Sequence, residues 1–176
     1  MKQIARLLLG LIILILVQSC QSDKRANNYN NALVDDKGLS FFASGTETSL
    51  TAVKASGLAI SNSKNQQVIQ FAKMMIDDHT QLTTDLRKLQ TANFVTTEDS
   101  VSTIHQQMLT DLEKKRAAAF DKAYIQEVIS EHGQLVALFN TASRNNDPDI
   151  SGFAQKKLPA LKAQLDSAKA ISLTLK

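Results

Sequence analysis

Two six-residue segments hold the side chains of this sequence that are best suited to chemistry. Residues 77–82 read DDHTQL and residues 130–135 read SEHGQL, so each has an acidic residue, a histidine, one variable position and then Gln-Leu. Imidazole is the commonest transition-metal ligand in proteins, and a neighbouring carboxylate adds hard oxygen donors. The repeat predicts a site for iron, manganese, zinc or copper formed by Asp78, His79, Glu131 and His132.

Helical spacing places both histidines on faces that would be buried. At about 100° per residue, His79 lies within an apolar stripe made of Val68, Phe71, Ala72, Met75, Leu82, Leu86 and Leu89. His132 lies in the same way among Phe120, Tyr124, Val128, Leu135, Leu138, Phe139 and Ala142. An acidic residue directly precedes each histidine, about 100° round the helix, so the acid and the imidazole cannot both point straight inward.

The spacing around the histidines differs from that of the di-iron helical bundles, which place a glutamate and a histidine three residues apart. Here the residues three positions before the histidines are Ile76 and Ile129. The usual ferroxidase or oxygen chemistry is therefore not expected. The sequence favours a second interpretation over the metal site, in which each histidine is a structural group bonded to a carboxylate or carbonyl of a neighbouring helix.

Charge and motifs argue against several functional classes. Removing residues 1–19 would take away Lys2 and Arg6 and leave 18 basic against 17 acidic residues, with no basic run. Phosphate recognition needs a concentrated basic face, so nucleic acid is not a predicted partner. The sequence contains no Gly-x-Ser-x-Gly segment, no glycine-rich phosphate loop and no His-Glu-x-x-His segment. We therefore expect a protein without enzymatic activity.

The first 20 residues have the organisation of an export signal. Lys2 and Arg6 flank the start of an apolar run, residues 7–17, which is shorter than the roughly 18 residues of a spanning helix. The run ends in Val-Gln-Ser-Cys, which resembles the bacterial lipoprotein signal, where a small residue precedes the cysteine that is lipidated. Cys20 is the only cysteine, so no internal disulfide can form. The resemblance implies a cell-envelope protein anchored through Cys20, with the outer membrane, facing the periplasm, expected ahead of the inner membrane.

We divide the chain into a signal peptide, residues 1–19, a lipidated cysteine with a flexible tether, residues 20–38, and a helical domain, residues 39–176. Apolar spacing predicts helices over about 39–60 and 64–91 and a third after the capping residues 96–99. A fourth helix should begin near residue 120, and a last one should run from about 150 into the 170s. The predicted fold is an all-α antiparallel four-helix bundle with an additional C-terminal helix.

The domain resembles the bacterial family known as domain of unknown function 4142, which is placed in the ferritin-like superfamily. The residues that carry the resemblance are Phe71-Ala72, Met75 to His79, Phe120-Asp121, Tyr124, Glu131-His132, Leu158-Pro159, Leu161 and Leu165. It implies a ferritin-like four-helix core but no established activity. The family commonly has a histidine where this chain has Gln164, which implies that a site using that histidine would be weakened here.

Together these features predict a non-enzymatic envelope lipoprotein with a binding, structural or stress-related role. The alternative is a metal-binding ferritin-like protein that uses the inward histidines and the neighbouring carboxylates. The predicted partner is the membrane, reached through lipidated Cys20. The sequence does not identify a protein partner.

Overall fold

Five α-helices form the part of the chain that the computed structural model describes, residues 34–175. They are α1 Asp36–Asn62, α2 Gln66–Ala92, α3 Thr103–Glu113, α4 Ala117–Ala142 and α5 Pro148–Thr174. No β-strand occurs within residues 34–175, which confirms the all-α prediction. The predicted signal peptide, Cys20 and most of the tether lie outside the described residues. None of the described helices is both long and apolar enough to span a membrane.

Three of the four long helices, α1, α2 and α5, begin at a residue whose side chain accepts hydrogen bonds from free backbone N–H groups, whereas Arg116 before α4 makes no such bond. The Asp35 carboxylate accepts a hydrogen bond from the Gly38 N–H at 2.8 Å and starts α1, three residues before the predicted boundary. The Asn65 side chain caps α2. Asp147 caps α5, with Pro148 in the first turn, where its missing N–H costs nothing. These short polar side chains fix where the connecting turns lie.

The third helix differs from its prediction. Residues 96–99 were expected to cap it, but the cap is Ser102, whose hydroxyl accepts from the His105 N–H. The helix has only 11 residues. Helical spacing alone predicts a buried stripe of Val101, Ile104, Met108 and Leu112, but Ile104 is 80% exposed. The short additional helix is therefore α3, and the C-terminal helix is one of the four long ones.

Hydrogen bonds between helices show which way the long helices run. The three-residue connection, residues 63–65, makes α1 and α2 antiparallel neighbours. On α4, Tyr124 bonds Ser56 near the end of α1. Asn145, just beyond the end of α4, bonds Asp35 at the start of α1. Helices α1 and α4 therefore run antiparallel, so α2 and α4 run parallel.

Helix α5 runs antiparallel to α2. Thr174 at the end of α5 bonds Gln67 at the start of α2, and Lys157 near the start of α5 pairs with Asp85 towards the end of α2. Because α2 and α4 run in the same direction, the segment between them, residues 93–116, must return along the length of the helices. Helix α3 lies within this crossover segment and contacts α1 and α4.

The interior consists of two apolar clusters with polar residues between them on every long helix. One cluster contains Phe71 and Met75 of α2 and Phe120 and Tyr124 of α4. The other contains Phe41, Phe42, Leu86, Leu135, Phe139 and Leu161. Buried polar residues separate the two clusters along the chain, namely Ser49 on α1, His79 on α2, His132 on α4 and Gln164 on α5. We call His79, His132 and Gln164 the polar layer.

Replacing Tyr124 with phenylalanine is expected to lower the free energy of unfolding by about 1–2 kcal/mol. The Tyr124 hydroxyl and the Ser56 hydroxyl lie 2.8 Å apart in the buried interior, so removing one leaves the other without its partner. Urea unfolding would measure the change. The double variant Ser56→Ala/Tyr124→Phe removes both partners and should lose less than the sum of the single variants. If the losses of the two single variants add up to that of the double variant, the hydrogen bond contributes nothing to the free energy of unfolding.

Candidate functional site

The two predicted histidines meet at the centre of the polar layer. His79 and His132 are 0% and 1% exposed, their Nε2 atoms are 3.0 Å apart, and their rings are tilted by 78°. The contact forms because α2 and α4 run parallel and carry the histidines at corresponding heights. The prediction that both histidines face the interior is confirmed.

Burial keeps both imidazoles neutral at pH 7. It lowers the pKa of His79 to about 3, with the neighbouring His132 acting in the same direction and Gln164 opposing it. Burial likewise lowers the pKa of His132 to about 4, against the smaller raising effects of Gln164 and the Val128 carbonyl. A neutral imidazole has one N–H and one lone pair, so one ring donates from Nε2 and the other accepts. The Nδ1 atom of each ring is buried without a hydrogen-bond partner in the described chain.

Gln164 completes the polar layer from α5. Its side chain is 5% exposed, and its Nε2 donates to Asp78 Oδ2 at 2.8 Å. The other arm of the amide, Oε1, is buried and accepts no hydrogen bond from residues 34–175. Three buried polar atoms without partners therefore belong to this one layer, although buried polar groups are normally paired. Buried polar atoms without a protein partner are normally satisfied by ordered water or by a ligand.

The two predicted acidic ligands lie away from the imidazole pair. Asp78 contacts the layer only through Gln164, and Glu131 Oε2 lies 3.1 Å from Nε2 of His105. Both directly precede a buried histidine, so the helix turns them about 100° towards its edge. Within residues 34–175, no three His, Cys, Asp or Glu side chains are placed to hold one metal ion.

Gln164 was noticed in the sequence only as a departure from the family pattern. Apolar spacing predicted an inward stripe of Phe153, Ala154, Leu158, Leu161, Leu165 and Ala168 for this helix. Ala154, Leu161 and Ala168 are buried as predicted, whereas Phe153, Leu158 and Leu165 are only partly buried. The buried positions of α5 are Ile150, Ala154, Leu161, Gln164, Ala168 and Ile171. The last four of these are spaced three, four and three residues apart, as one helical face requires. The position of Gln164 within this spacing is the sequence feature that could have identified it as a buried polar residue.

A second polar cluster, which the sequence did not predict, fastens α3 to its neighbours. Nδ1 of His105 lies 2.7 Å from Glu47 on α1, and its Nε2 lies 3.1 Å from Glu131 on α4. Both ring nitrogens can donate only when the imidazole is protonated. Burial would raise the pKa of Glu47, but hydrogen bonds from Ser102 and His105 outweigh it and the pKa is lowered. The pKa of Glu127 is raised, mainly by burial and to a smaller extent by the negative charge of Glu131.

Replacing His105 with alanine is expected to loosen α3 without unfolding the long helices. Leu112 is the one fully buried residue of α3, so the contacts of His105 are a large share of what holds this helix. Amide hydrogen exchange in residues 103–113 should accelerate by about tenfold or more, while exchange in α4 stays unchanged. Lys114→Ala, which removes the ion pair between Asp111 and the residue that follows α3, is the control. Equal acceleration in both variants would contradict the bridging role.

A cavity of about 140 Å³ leads to the polar layer between α2 and α5. Its lining includes Asp78 and His79 on one side and Lys157 and Gln164 on the other. Since one water occupies about 30 Å³ of liquid volume, the cavity has room for a few water molecules. Of the two imidazoles, His79 lines this cavity and His132 does not.

The matching family model covers residues 23–171 and is described as a domain of unknown function, DUF4142. The chain belongs to this family, which confirms that part of the resemblance. No curated protein and no solved structure matches the chain. The family assignment brings no activity, so function must be argued from the polar layer.

Proposed function

We propose that the chain is a lipid-anchored cell-envelope protein that acts by binding a transition-metal ion at His79 and His132. Anchoring through Cys20 is supported by the basic start, the apolar run and Val-Gln-Ser-Cys. The outer membrane, facing the periplasm, is the proposed location. A role in binding is supported by the sequence, which has no catalytic motif. The helical domain is the functional part of the mature protein.

The four long helices are proposed to form a ferritin-like four-helix bundle. Bundles of this type have one long crossover connection, whereas simple up-and-down bundles have only short loops. The support comes from the parallel directions of α2 and α4, which require the segment 93–116 to act as a crossover. In such bundles, metal sites lie in the core between facing helices. The polar layer occupies that position.

One observation carries the metal-binding proposal, the approach of His79 Nε2 and His132 Nε2 to 3.0 Å. Metal–imidazole bonds are about 2.0–2.1 Å long, so a single ion can reach both nitrogens from their present positions. Both imidazoles are neutral at pH 7, and no proton has to leave before a metal binds. Binding needs only the shift of one hydrogen from Nε2 to Nδ1.

Copper and zinc fit this donor set better than manganese. Imidazole nitrogen suits zinc, copper, iron and nickel, whereas manganese favours carboxylate and water oxygens. Neither acidic residue predicted as a ligand touches the imidazole pair, which weakens the case for the oxygen-seeking metals. Among divalent ions, affinity for a given site is highest for copper, followed by its neighbours in the series.

Metal content of full-length protein, purified in detergent without chelator, would test the proposal. After loading with copper, zinc, iron and manganese in turn, mass spectrometry should find about one copper or zinc ion per chain. The variant His79→Gln/His132→Gln keeps Cys20 and should bind less than a tenth of that amount. His105→Ala also lacks a histidine, but one outside the layer, and it should bind like the original protein.

The competing interpretation is a purely structural histidine pair, which the hydrogen bond between the rings favours. In that case the original protein would contain no stoichiometric metal, or the paired-glutamine variant would retain it. Either result would overturn the proposed metal-binding function. Circular dichroism on each variant would establish that the helices are intact before the metal contents are compared.

A further inference from the structure

We propose that Gln164 is the third ligand of the ion and that Asp78 positions it. This rests on the proposed function, because it assigns further residues to the same site. It also gives Asp78 a different role from direct coordination, which the sequence alone had suggested.

The Asp78 carboxylate fixes the orientation of the Gln164 amide. Nε2 of Gln164 donates to Asp78 Oδ2 at 2.8 Å, and the carboxylate can only accept, so the NH₂ arm must face it. The oxygen arm, Oε1, is buried and makes no hydrogen bond to any described residue. Since the two arms diverge from one planar carbon, holding the nitrogen on Asp78 turns the oxygen away from that carboxylate.

Gln164 lies beside the imidazole pair. It lines the cavity between α2 and α5 together with His79, and both side chains are buried. Nε2 of His79 in turn lies 3.0 Å from Nε2 of His132. The two imidazoles and the amide therefore belong to one buried layer, each carried by a different long helix.

This donor set is neutral, so Asp78 has a second effect. A divalent ion in a buried site of neutral ligands is costly to desolvate. A carboxylate that is hydrogen-bonded to one of the ligands, as Asp78 is to Gln164, offsets part of that cost. Outer carboxylates of this kind orient metal ligands and strengthen them, and their removal typically weakens metal affinity by about 10–100-fold. Asp78 borders the cavity between α2 and α5, where water can supply the remaining ligands.

Titration of the full-length protein in detergent with Cu²⁺ and Zn²⁺ would test this assignment. Gln164→Ala and Asp78→Ala should each weaken binding by about 10–100-fold. Gln81→Ala is the matched control, because Gln81 borders the same cavity but its amide donates to Asp85, and its affinity should stay within about twofold. Thermal unfolding of the metal-free variants would show that each is folded.

Replacing Gln164 with a residue that offers a nitrogen ligand tests for metal coordination itself, because the number of nitrogens bound to copper would not change if Gln164 had only a structural role. With Gln164→His, the electron paramagnetic resonance spectrum of the Cu²⁺-loaded protein should show three coupled nitrogens where the original shows two. Unchanged affinity in Gln164→Ala, or no added nitrogen in Gln164→His, would overturn this inference while leaving the histidine pair as the site. Absence of binding to the original chain would instead overturn the proposed function and, with it, this assignment.

Discussion

Lowering the pH from 7 to 5 is expected to reduce the free energy of unfolding by about 4 kcal/mol, about 2 from each of His79 and His132. Burial lowers their pKa values to about 3 and about 4 in the folded protein, whereas an unfolded histidine has a pKa of about 6.5. Below that value the unfolded chain binds protons that the folded chain excludes. The free energy of unfolding is therefore at its full value above about pH 6.5, and it decreases as the pH falls towards the pKa values of the folded protein.

Urea unfolding at pH 7, 6 and 5 would measure this loss against the variant His79→Gln/His132→Gln. The variant lacks both titrating groups and should lose much less stability over the same range. His105 and its contacts with Glu47 and Glu131 are present in both proteins, so their contribution cancels in the comparison. Parallel pH profiles for the two proteins would refute the role assigned to the buried imidazoles.

Replacing Phe139 with alanine is expected to lower the free energy of unfolding by about 3–5 kcal/mol. The ring is fully buried and packs edge-on against Phe41 with centroids 4.9 Å apart, and Phe153 lies 6.2 Å away. Its removal leaves a cavity between α1, α4 and α5 that the rigid helices cannot close. Guanidinium unfolding at pH 7, where the histidines stay neutral, would isolate this packing effect.

Phe94→Ala is the matched control for the packing experiment. The Phe94 side chain is 89% exposed in the crossover segment, so its truncation should change stability by less than about 0.5 kcal/mol. A small loss at Phe139, comparable to that at Phe94, would mean that the second apolar cluster does not stabilise the domain.

The helices could be predicted from the sequence because their apolar residues recur at helical spacing, and α2 shows this best. Nearly every residue assigned to its stripe is buried, with Leu89 alone partly exposed. Boundaries were harder, because residues 96–99 and Ser102 are equally good caps in isolation and tertiary contacts choose between them. Ser102 is selected because its N–H also bonds Glu47 on α1.

The candidate site was predictable only in part for a related reason. A polar residue within an apolar stripe can be recognised from the sequence, so helical spacing was enough to predict that the two histidines face the interior. The partners of a side chain depend on helix packing, which spacing does not reveal. Glu131 pairs with His105 and Asp78 with Gln164 because α3 and α5 lie against those helix edges. No local pattern in the sequence specifies these neighbours.

The crossover between α2 and α4 has a consequence for the order of folding. Helices α1 and α2 are joined by three residues and α4 and α5 by five, so each pair can form a hairpin early from local contacts. His79 belongs to the first hairpin, whereas His132 and Gln164 belong to the second. The imidazole contact, 53 residues apart in sequence, arises only when the hairpins dock. We therefore expect the polar layer to form when the two hairpins dock, so that a ligand of this layer would bind only chains that have reached that step.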